Sequence, residues 1–359
     1  MINIVSPFLP PIEDYNNYIS GIWKRNWLTN NGPLVNELEL QLKSYLQVDN
    51  IQYVTNGTIA LQLAIKALNL SGEIITTPFS YIATTSSIVW EGCDPIFADI
   101  DPQTFNIDPS SISNKITKKT TAIIATHVYG NPCDIEAIQR IADQHNLKVI
   151  YDGAHSFGVK YKGESIFKFG DISTASFHAT KLYHTTEGGA IFTKSGEILS
   201  KISYLKNFGH HGAERFIEPG INGKNSEFHA AMGLCNLKYV DEILRKRKLD
   251  YNYYSKNLSS LGLQFQQINQ DSEYNYSYFP ILFRTEQELI KVMNSLACDE
   301  IYTRRYFYPT LDKAEYLATV DDIPVAEDIA KRVLCLPLYY SLSIEEIDLV
   351  ISSIKNATR

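Results

Sequence analysis

The five cysteines of this 359-residue chain, Cys93, Cys133, Cys235, Cys298 and Cys335, are widely spaced and never form a Cys-x-x-Cys pair. Neither a zinc ribbon nor a disulfide framework fits that spacing, and buried reduced thiols are expected. The eight histidines form no His-x-x-x-His helical face with a glutamate beside it, which argues against a helical zinc site. The adjacent pair His210-His211 adds little, because neighbouring residues rarely point at one ion. Neither a basic run nor a stretch of about 18 apolar residues occurs. With a formal net charge of −7 the chain favours no nucleic acid and no anionic membrane as a partner. The start, Met1 to Pro7, lacks a basic leader and an apolar core, so a cytoplasmic enzyme is expected. No internal repeat or low-complexity segment is visible.

What is present is a soluble globular composition, 44% hydrophobic and 20% charged. A chain longer than about 250 to 300 residues usually forms more than one structural unit, and two domains are expected here, residues 1–238 and 239–359. Strands and helices alternate through residues 50 to 195, the α/β pattern. One helix is predicted from Asp134 to about His145, with Ile135, Ile138 and Ile141 on one face. A charged helical segment from Tyr239 to about Leu258 reads as a connector to the smaller domain, whose helices start at capping boxes, Thr285 with Glu288 and Ser343 with Glu346.

Three segments carry chemistry. Ser176-Phe177-His178-Ala179-Thr180-Lys181 sets a lysine after a short apolar strand and before the glycine turn Glu187-Gly188-Gly189. Lysine becomes a nucleophile near neutral pH when its ammonium is partly desolvated, whereas an ordinary lysine is solvated. Lys148-Val149-Ile150-Tyr151 ends in Asp152-Gly153-Ala154-His155, a buried strand delivering an aspartate into a loop at the end where open α/β sheets bind ligands. Such an aspartate can pair with a protonated pyridine nitrogen, or simply close an Asx turn. Thr55-Asn56-Gly57-Thr58 precedes apolar residues at helical spacing, so Thr58 lies at a helix start. There free amides and the helix dipole attract phosphate, although a plain N-cap accounts for Thr58 equally well.

A phosphate site, a ring-nitrogen partner and a Schiff-base lysine in this order resemble the DegT/DnrJ/StrS sugar aminotransferases, within the fold type I pyridoxal phosphate enzymes. The resemblance runs from Trp27-Leu28-Thr29 through Thr77-Pro78-Phe79-Ser80-Tyr81 and His127-Val128-Tyr129-Gly130 to Cys335-Leu336-Pro337-Leu338. It implies an aspartate aminotransferase-like α/β fold, with a large mixed-sheet α/β/α cofactor domain and a smaller C-terminal α+β domain. It implies pyridoxal 5'-phosphate held by Lys181, with Asp152 on the ring nitrogen, His155 near the ring where many relatives have glutamine, and Tyr81 stacking. Gly57, Thr58 and Ser176 match phosphate-binding positions. Asn222 matches an asparagine lent to the neighbouring subunit's phosphate, which implies a homodimer with shared active sites. After the lysine, Tyr183-His184-Thr185-Thr186 departs from the family's usual Leu-Thr-Thr-Gly.

The reaction so implied is ping-pong transamination from L-glutamate to a nucleotide-linked 4-keto-6-deoxy sugar, with Lys181 as anchor and base. Arg304 and Arg305, within Tyr302-Thr303-Arg304-Arg305-Tyr306-Phe307-Tyr308, are candidates for the acceptor's diphosphate or sugar, or for an exposed edge strand. This segment and residues 178–186 are most similar to members making 4-amino-4,6-dideoxyglucose on thymidine diphosphate; a 3-amino product stays open. Related dehydratases carry histidine in place of the lysine, so Lys181 opposes that reading. An intact Lys181, Asp152 and Thr58 oppose a non-catalytic regulator. A hydrolase built on Asp152, His155 and Ser156 lacks a nucleophile elbow.

Overall fold

The computed structural model describes residues 1–317 and 321–358. In chain order, β1 (Ile51–Val54), β2 (Glu73–Thr76), β3 (Asp94–Phe97), β4 (Thr120–Thr126) and β5 (Lys148–Asp152) precede a small hairpin, β6 (Lys160–Tyr161) with β7 (Glu164–Ser165). β8 (Ile172–Ser176) and β9 (Gly189–Phe192) follow. The main sheet has seven strands in the order β1-β9-β8-β5-β4-β2-β3. β8, β5, β4, β2 and β3 pair in parallel, whereas β9 is antiparallel to both β8 and β1. β9 is therefore the one reversed strand of this mixed sheet. The other six strands end along a common edge.

Alternation along the strands feeds two apolar layers. Ala122, Ile124 and Ile150 point into one core with helix Gly57–Ala67, while Ile123, Ala125, Val149 and Tyr151 point into the other with helices Pro33–Leu46 and Ile135–His145. Sandwiching on both faces explains why the middles of β4, Ala122 to Ala125, and of β5, Val149 to Tyr151, are apolar and buried. The helix expected at Asp134 begins there, Asp134 accepting the Ala137 N–H at 3.0 Å.

Toward the C-terminus, β10 (Gln264–Phe265), β12 (Phe279–Leu282) and β13 (Val333–Leu336) form an antiparallel sheet, and β11 (Ser272–Glu273) reaches back to pair with β6. Helices Val240–Leu258, Glu286–Cys298 and Ile344–Ala357 share a core with this sheet and with Ile2. The charged segment read as a connector is the first of these helices, and Arg247 and Asp250 are buried along it. At Ser343 the capping box closes fully, with Glu346 N–H donating to Ser343 Oγ at 3.2 Å and Ser343 N–H to Glu346 Oε2 at 2.8 Å. At Thr285 only half of the box forms: Glu288 takes the Arg284 N–H instead. All five cysteines are unpaired; four are buried, and Cys298 is exposed at a helix end. Among the described residues no helix is long and apolar enough to cross a membrane.

Candidate active site

The common edge of the six strands opens on a cavity of about 730 Å³. Strand register brings the expected residues to it from distant parts of the chain. Asp152 closes β5 beside Thr174 of β8, and β8 ends at Ser176, opposite Gly189. The loop from β8 to β9 is held by Phe177 N–H to Gly188 O (2.7 Å), Thr185 N–H to Phe177 O (2.9 Å) and Lys181 N–H to His178 O (2.8 Å). These bonds fix Lys181 on the cavity wall.

Two glycines permit the close approach of the phosphate-site segment. A Cβ on Gly57 would come within 2.8 Å of Ser176 Cβ, and one on Gly189 within 2.5 Å of the Asn56 carbonyl, separations that non-bonded atoms do not tolerate. Helix Gly57–Ala67 thus starts directly against Ser176. Its cap is Asn56, whose Oδ1 accepts the Ile59 N–H at 2.8 Å. Thr58 sits inside the first turn and is not the cap. The asparagine takes the cap because its extended backbone aims a short amide side chain at the third turn amide. Gly57, Thr58 and Ser176 all line the cavity.

Asp152 is buried, with Oδ2 accepting from Thr84 Oγ1 at 2.8 Å and Oδ1 from Ala154 N–H at 3.0 Å. Burial raises its pKa, against the lowering pull of those two donors and of Lys181. Thr84 in turn meets Ser80 Oγ, which meets Thr126 Oγ1, each at 3.0 Å, so a chain of hydroxyls backs the carboxylate. Lys181 is pulled the other way. Desolvation lowers its pKa, opposed by the charge of Asp152, and Nζ lies 3.3 Å from the Tyr278 hydroxyl.

His155 packs flat against Phe307, ring centroids 5.7 Å apart. Its Nδ1 accepts the Tyr129 N–H at 3.2 Å, so the neutral ring carries its proton on Nε2. Burial holds its pKa well below the ordinary histidine value. With Nδ1 so engaged, and Ser156 Oγ buried without a partner, no Ser-His-Asp relay exists here.

Tyr81 is exposed on the cavity rim. Of the two arginines, only Arg304 lines the cavity, its guanidinium 5.4 Å from the Tyr306 ring. Arg305 points away, donating to Glu286 at 2.7 Å and to Lys331 O at 2.8 Å and lying over the Tyr308 ring. Successive residues of an extended stretch face opposite sides, and Arg304 pairs by its backbone with Cys335 of β13. Asn222 is exposed and lies outside this cavity.

Thr84, Tyr278 and Arg247 also stand at the site and were not singled out in the sequence. Thr84 lies three positions past Tyr81, at the end of the segment quoted for the resemblance, and Tyr278 ends the asparagine- and tyrosine-rich run Tyr274-Asn275-Tyr276-Ser277-Tyr278. Arg247 was one charge among several on the connector helix. No local spacing ties any of the three to Lys181.

Residues 12–355 match the family described as DegT/DnrJ/EryC1/StrS aminotransferases. The chain belongs to this family. Among members of known name it is 44% identical to dTDP-4-amino-4,6-dideoxy-D-glucose transaminase of Shigella dysenteriae, over 99% of this chain and 98% of that one. The enzyme of the same name from Escherichia coli is 40% identical, over 96% and 95%. The crystal structure of DesI in the presence of its TDP-sugar product superposes with a TM-score of 0.94 at 30% identity, covering 100% of this chain and 93% of that one. This DegT/DnrJ/EryC1/StrS protein is thus an aminotransferase with the fold type I architecture expected from its motifs.

Proposed function

We propose that the protein is a pyridoxal-phosphate-dependent aminotransferase moving the amino group of L-glutamate to carbon 4 of dTDP-4-keto-6-deoxy-D-glucose, giving dTDP-4-amino-4,6-dideoxy-D-glucose. The observation that carries the reading is a lysine of lowered pKa facing a buried, hydroxyl-backed aspartate across one cavity. The names of the two 40–44% identical relatives supply the sugar.

The residues fit the cofactor. The amides of Gly57 and Thr58, free of acceptors among the described residues, and Ser176 suit a phosphate at the helix start. Asp152 suits a protonated ring nitrogen, because a buried carboxylate with donors but no cation within ion-pair reach gains from one. When bound, the cofactor supplies an electron-withdrawing ring that eases loss of a proton from the adjoining carbon. Lys181 Nζ would take up that proton and give it back within the same half-reaction, and its lowered pKa keeps the free amine available. Tyr278 steadies Nζ through its hydroxyl. Neutral His155 packs in the cavity wall, Tyr81 covers its rim, and Arg304 offers a cation to the diphosphate.

The same reading makes the protein a homodimer, with Asn222 reaching a neighbouring site; exposed Phe216, Ile217 and Ile221 beside it support burial there. It also divides the chain near residue 238, supported by the separate core that residues 254–357 build with Ile2.

Borohydride trapping followed by peptide mapping should find the cofactor on Lys181, and Lys181→Ala should lose turnover with an almost unchanged melting temperature. Mass spectrometry and NMR of the product should show the amine at carbon 4. An amine at carbon 3 would overturn the regiochemistry alone; no amination of any nucleotide keto-sugar would overturn the function.

A further inference from the structure

We infer that His184 is a positioning residue for Lys181: its imidazole holds the strained turn at Thr186 that closes the lysine loop, an inference that rests on the aminotransferase reading above. Among the described residues Thr186 is the one β-branched residue with a positive φ, 67°. A branched Cβ crowds the backbone in that region, so a threonine there returns to negative φ unless its surroundings hold it. Thr186 is exposed, so packing of its side chain does not hold it. Its backbone is held instead. The Thr186 N–H donates to His184 Nδ1 at 3.2 Å, a local bond from side chain to backbone of the kind that fixes turns. His184 is in turn fixed from two sides. Its ring is buried, Nε2 donates to Phe8 O at 2.7 Å, and Asn236 Nδ2 donates to the His184 carbonyl at 2.8 Å. Phe8 packs on Tyr239 and Tyr340, with ring centroids 5.3 and 5.1 Å away. Burial lowers the pKa of His184 against the upward pull of the Phe8 carbonyl. The neutral ring with its proton on Nε2 leaves Nδ1 an acceptor.

The turn reaches Lys181 through the backbone. Thr185 N–H donates to Phe177 O, and Phe177 N–H donates to Gly188 O, so residues on both sides of Thr186 pin the end of β8 from which the lysine loop departs. Between them, Glu187 O accepts from Thr185 Oγ1 at 2.8 Å and from Asn225 Nδ2 at 3.0 Å. The Glu187 carboxylate lies 3.5 Å from His178 Nε2, and His178, Lys181 and Glu187 all line the cavity. A return of Thr186 to negative φ would redirect the chain between Thr185 and Gly188, and these bonds could not all persist. Lys181 Nζ would then lose its fixed place beside Tyr278. Glycine at position 186 would follow the same path without the imidazole, because it adopts positive φ at no steric cost.

Two amide substitutions separate the ring's contacts. His184→Gln places an amide where Nε2 stood, keeping the Phe8 bond and leaving the Thr186 N–H without its acceptor. His184→Asn places one where Nδ1 stood and keeps the acceptor. In cofactor-loaded protein His184→Gln should lower kcat by about tenfold, whereas His184→Asn and the double variant His184→Gln with Thr186→Gly should stay within about threefold of wild type. The same order should appear without turnover. The rate at which cofactor-free protein takes up pyridoxal 5'-phosphate, followed by absorbance, should fall about tenfold in His184→Gln and recover in the double variant. Amide hydrogen exchange across residues 177–188 should quicken and recover in parallel. A histidine that only fills space would make the Gln and Asn variants alike and would gain nothing from a glycine that adds no volume; either result overturns the inference. If His184→Gln does not fold, a folded double variant supports the inference, and failure of both overturns it. Exchange across the turn that is indifferent to residue 184 overturns the inference and leaves the aminotransferase intact. A wild type that takes up no pyridoxal phosphate overturns both.

Discussion

Asp152 and Lys181 each sit against their ordinary titration, the carboxyl raised and the ammonium lowered by burial, and each moderates the other. A buried carboxylate whose pKa is raised by desolvation gains most from a cationic ring nitrogen, so its charge matters more than its volume. Asp152→Asn should fill the same space, retain cofactor at near wild-type occupancy, and lower kcat by well over tenfold. Activity within about threefold, or roughly 0.6 kcal/mol, would remove Asp152 from the chemistry. Arg304 and Arg305 present a second contrast, because the same side chain one residue apart faces cavity or protein. Arg304→Ala should raise the KM for the nucleotide sugar by about tenfold or more and leave that for glutamate unchanged, the loss of one charge-assisted contact of about 1.5–3 kcal/mol. Arg305→Ala should leave both KM values alone and lower the melting temperature, since it breaks the pairing with Glu286. Separate titrations of the two substrates decide; equal effects from both arginines would contradict the division.

At the scale of elements, the helices differ in what their first turns do. Ser343 and Glu346 satisfy each other's backbone donors at helix Ile344–Ala357, remote from the cavity. Ser343→Ala should therefore cost about 1 kcal/mol of stability and no activity. Asn56 caps helix Gly57–Ala67, whose next amides face the cavity. Asn56→Ala should cost a similar amount of stability, and it should also weaken cofactor binding severalfold, because the amides that hold a phosphate lose their fixed direction. Denaturation midpoints together with cofactor titrations would separate the two caps. Equal cofactor affinity in Asn56→Ala and the wild type would divorce this helix start from the phosphate.

Taken whole, the molecule buries histidines in neutral form between its layers. His127 accepts the Cys133 N–H on Nδ1 at 3.1 Å and stacks on Tyr151, and burial pushes its pKa down to about 3; His155 is also held well below its usual value. In the unfolded chain both titrate near 6.5. Above that pH neither state binds the extra protons, so these residues leave stability flat. Below it only the unfolded state takes them up, and stability falls by up to about 1.4 kcal/mol per pH unit per histidine. Asp152, with its raised pKa, acts in the opposite sense but only nearer the carboxylate range. Melting temperatures should drop more steeply per pH unit from pH 6.5 to 5 than from pH 8 to 7, and the steeper drop should be smaller in His127→Gln. A constant melting temperature across that range would refute the neutral burial of these rings.

Chain order alone made the α/β class legible, since buried five-residue strands and 11-residue amphipathic helices differ in period. It also made Lys181, Asp152, Gly57, Thr58 and Ser176 legible, because each stands at the end of a strand, at the start of a helix or, for Lys181, in the turn that follows a strand, positions that local pattern marks. The hydroxyl chain behind Asp152 and the Tyr278 contact to Lys181 were decided only by the tertiary structure. Thr84 lies 68 positions from Asp152, and Tyr278 97 from Lys181. Such meetings depend on the crossing of β4, β5 and β8 and on the closure of the C-terminal sheet over the cavity, which no local period encodes. The facing of Arg304 and Arg305 belongs to the same class. Alternation says that two neighbours on an extended stretch diverge, but only the packing against Glu286 and β13 determines which of them meets the substrate.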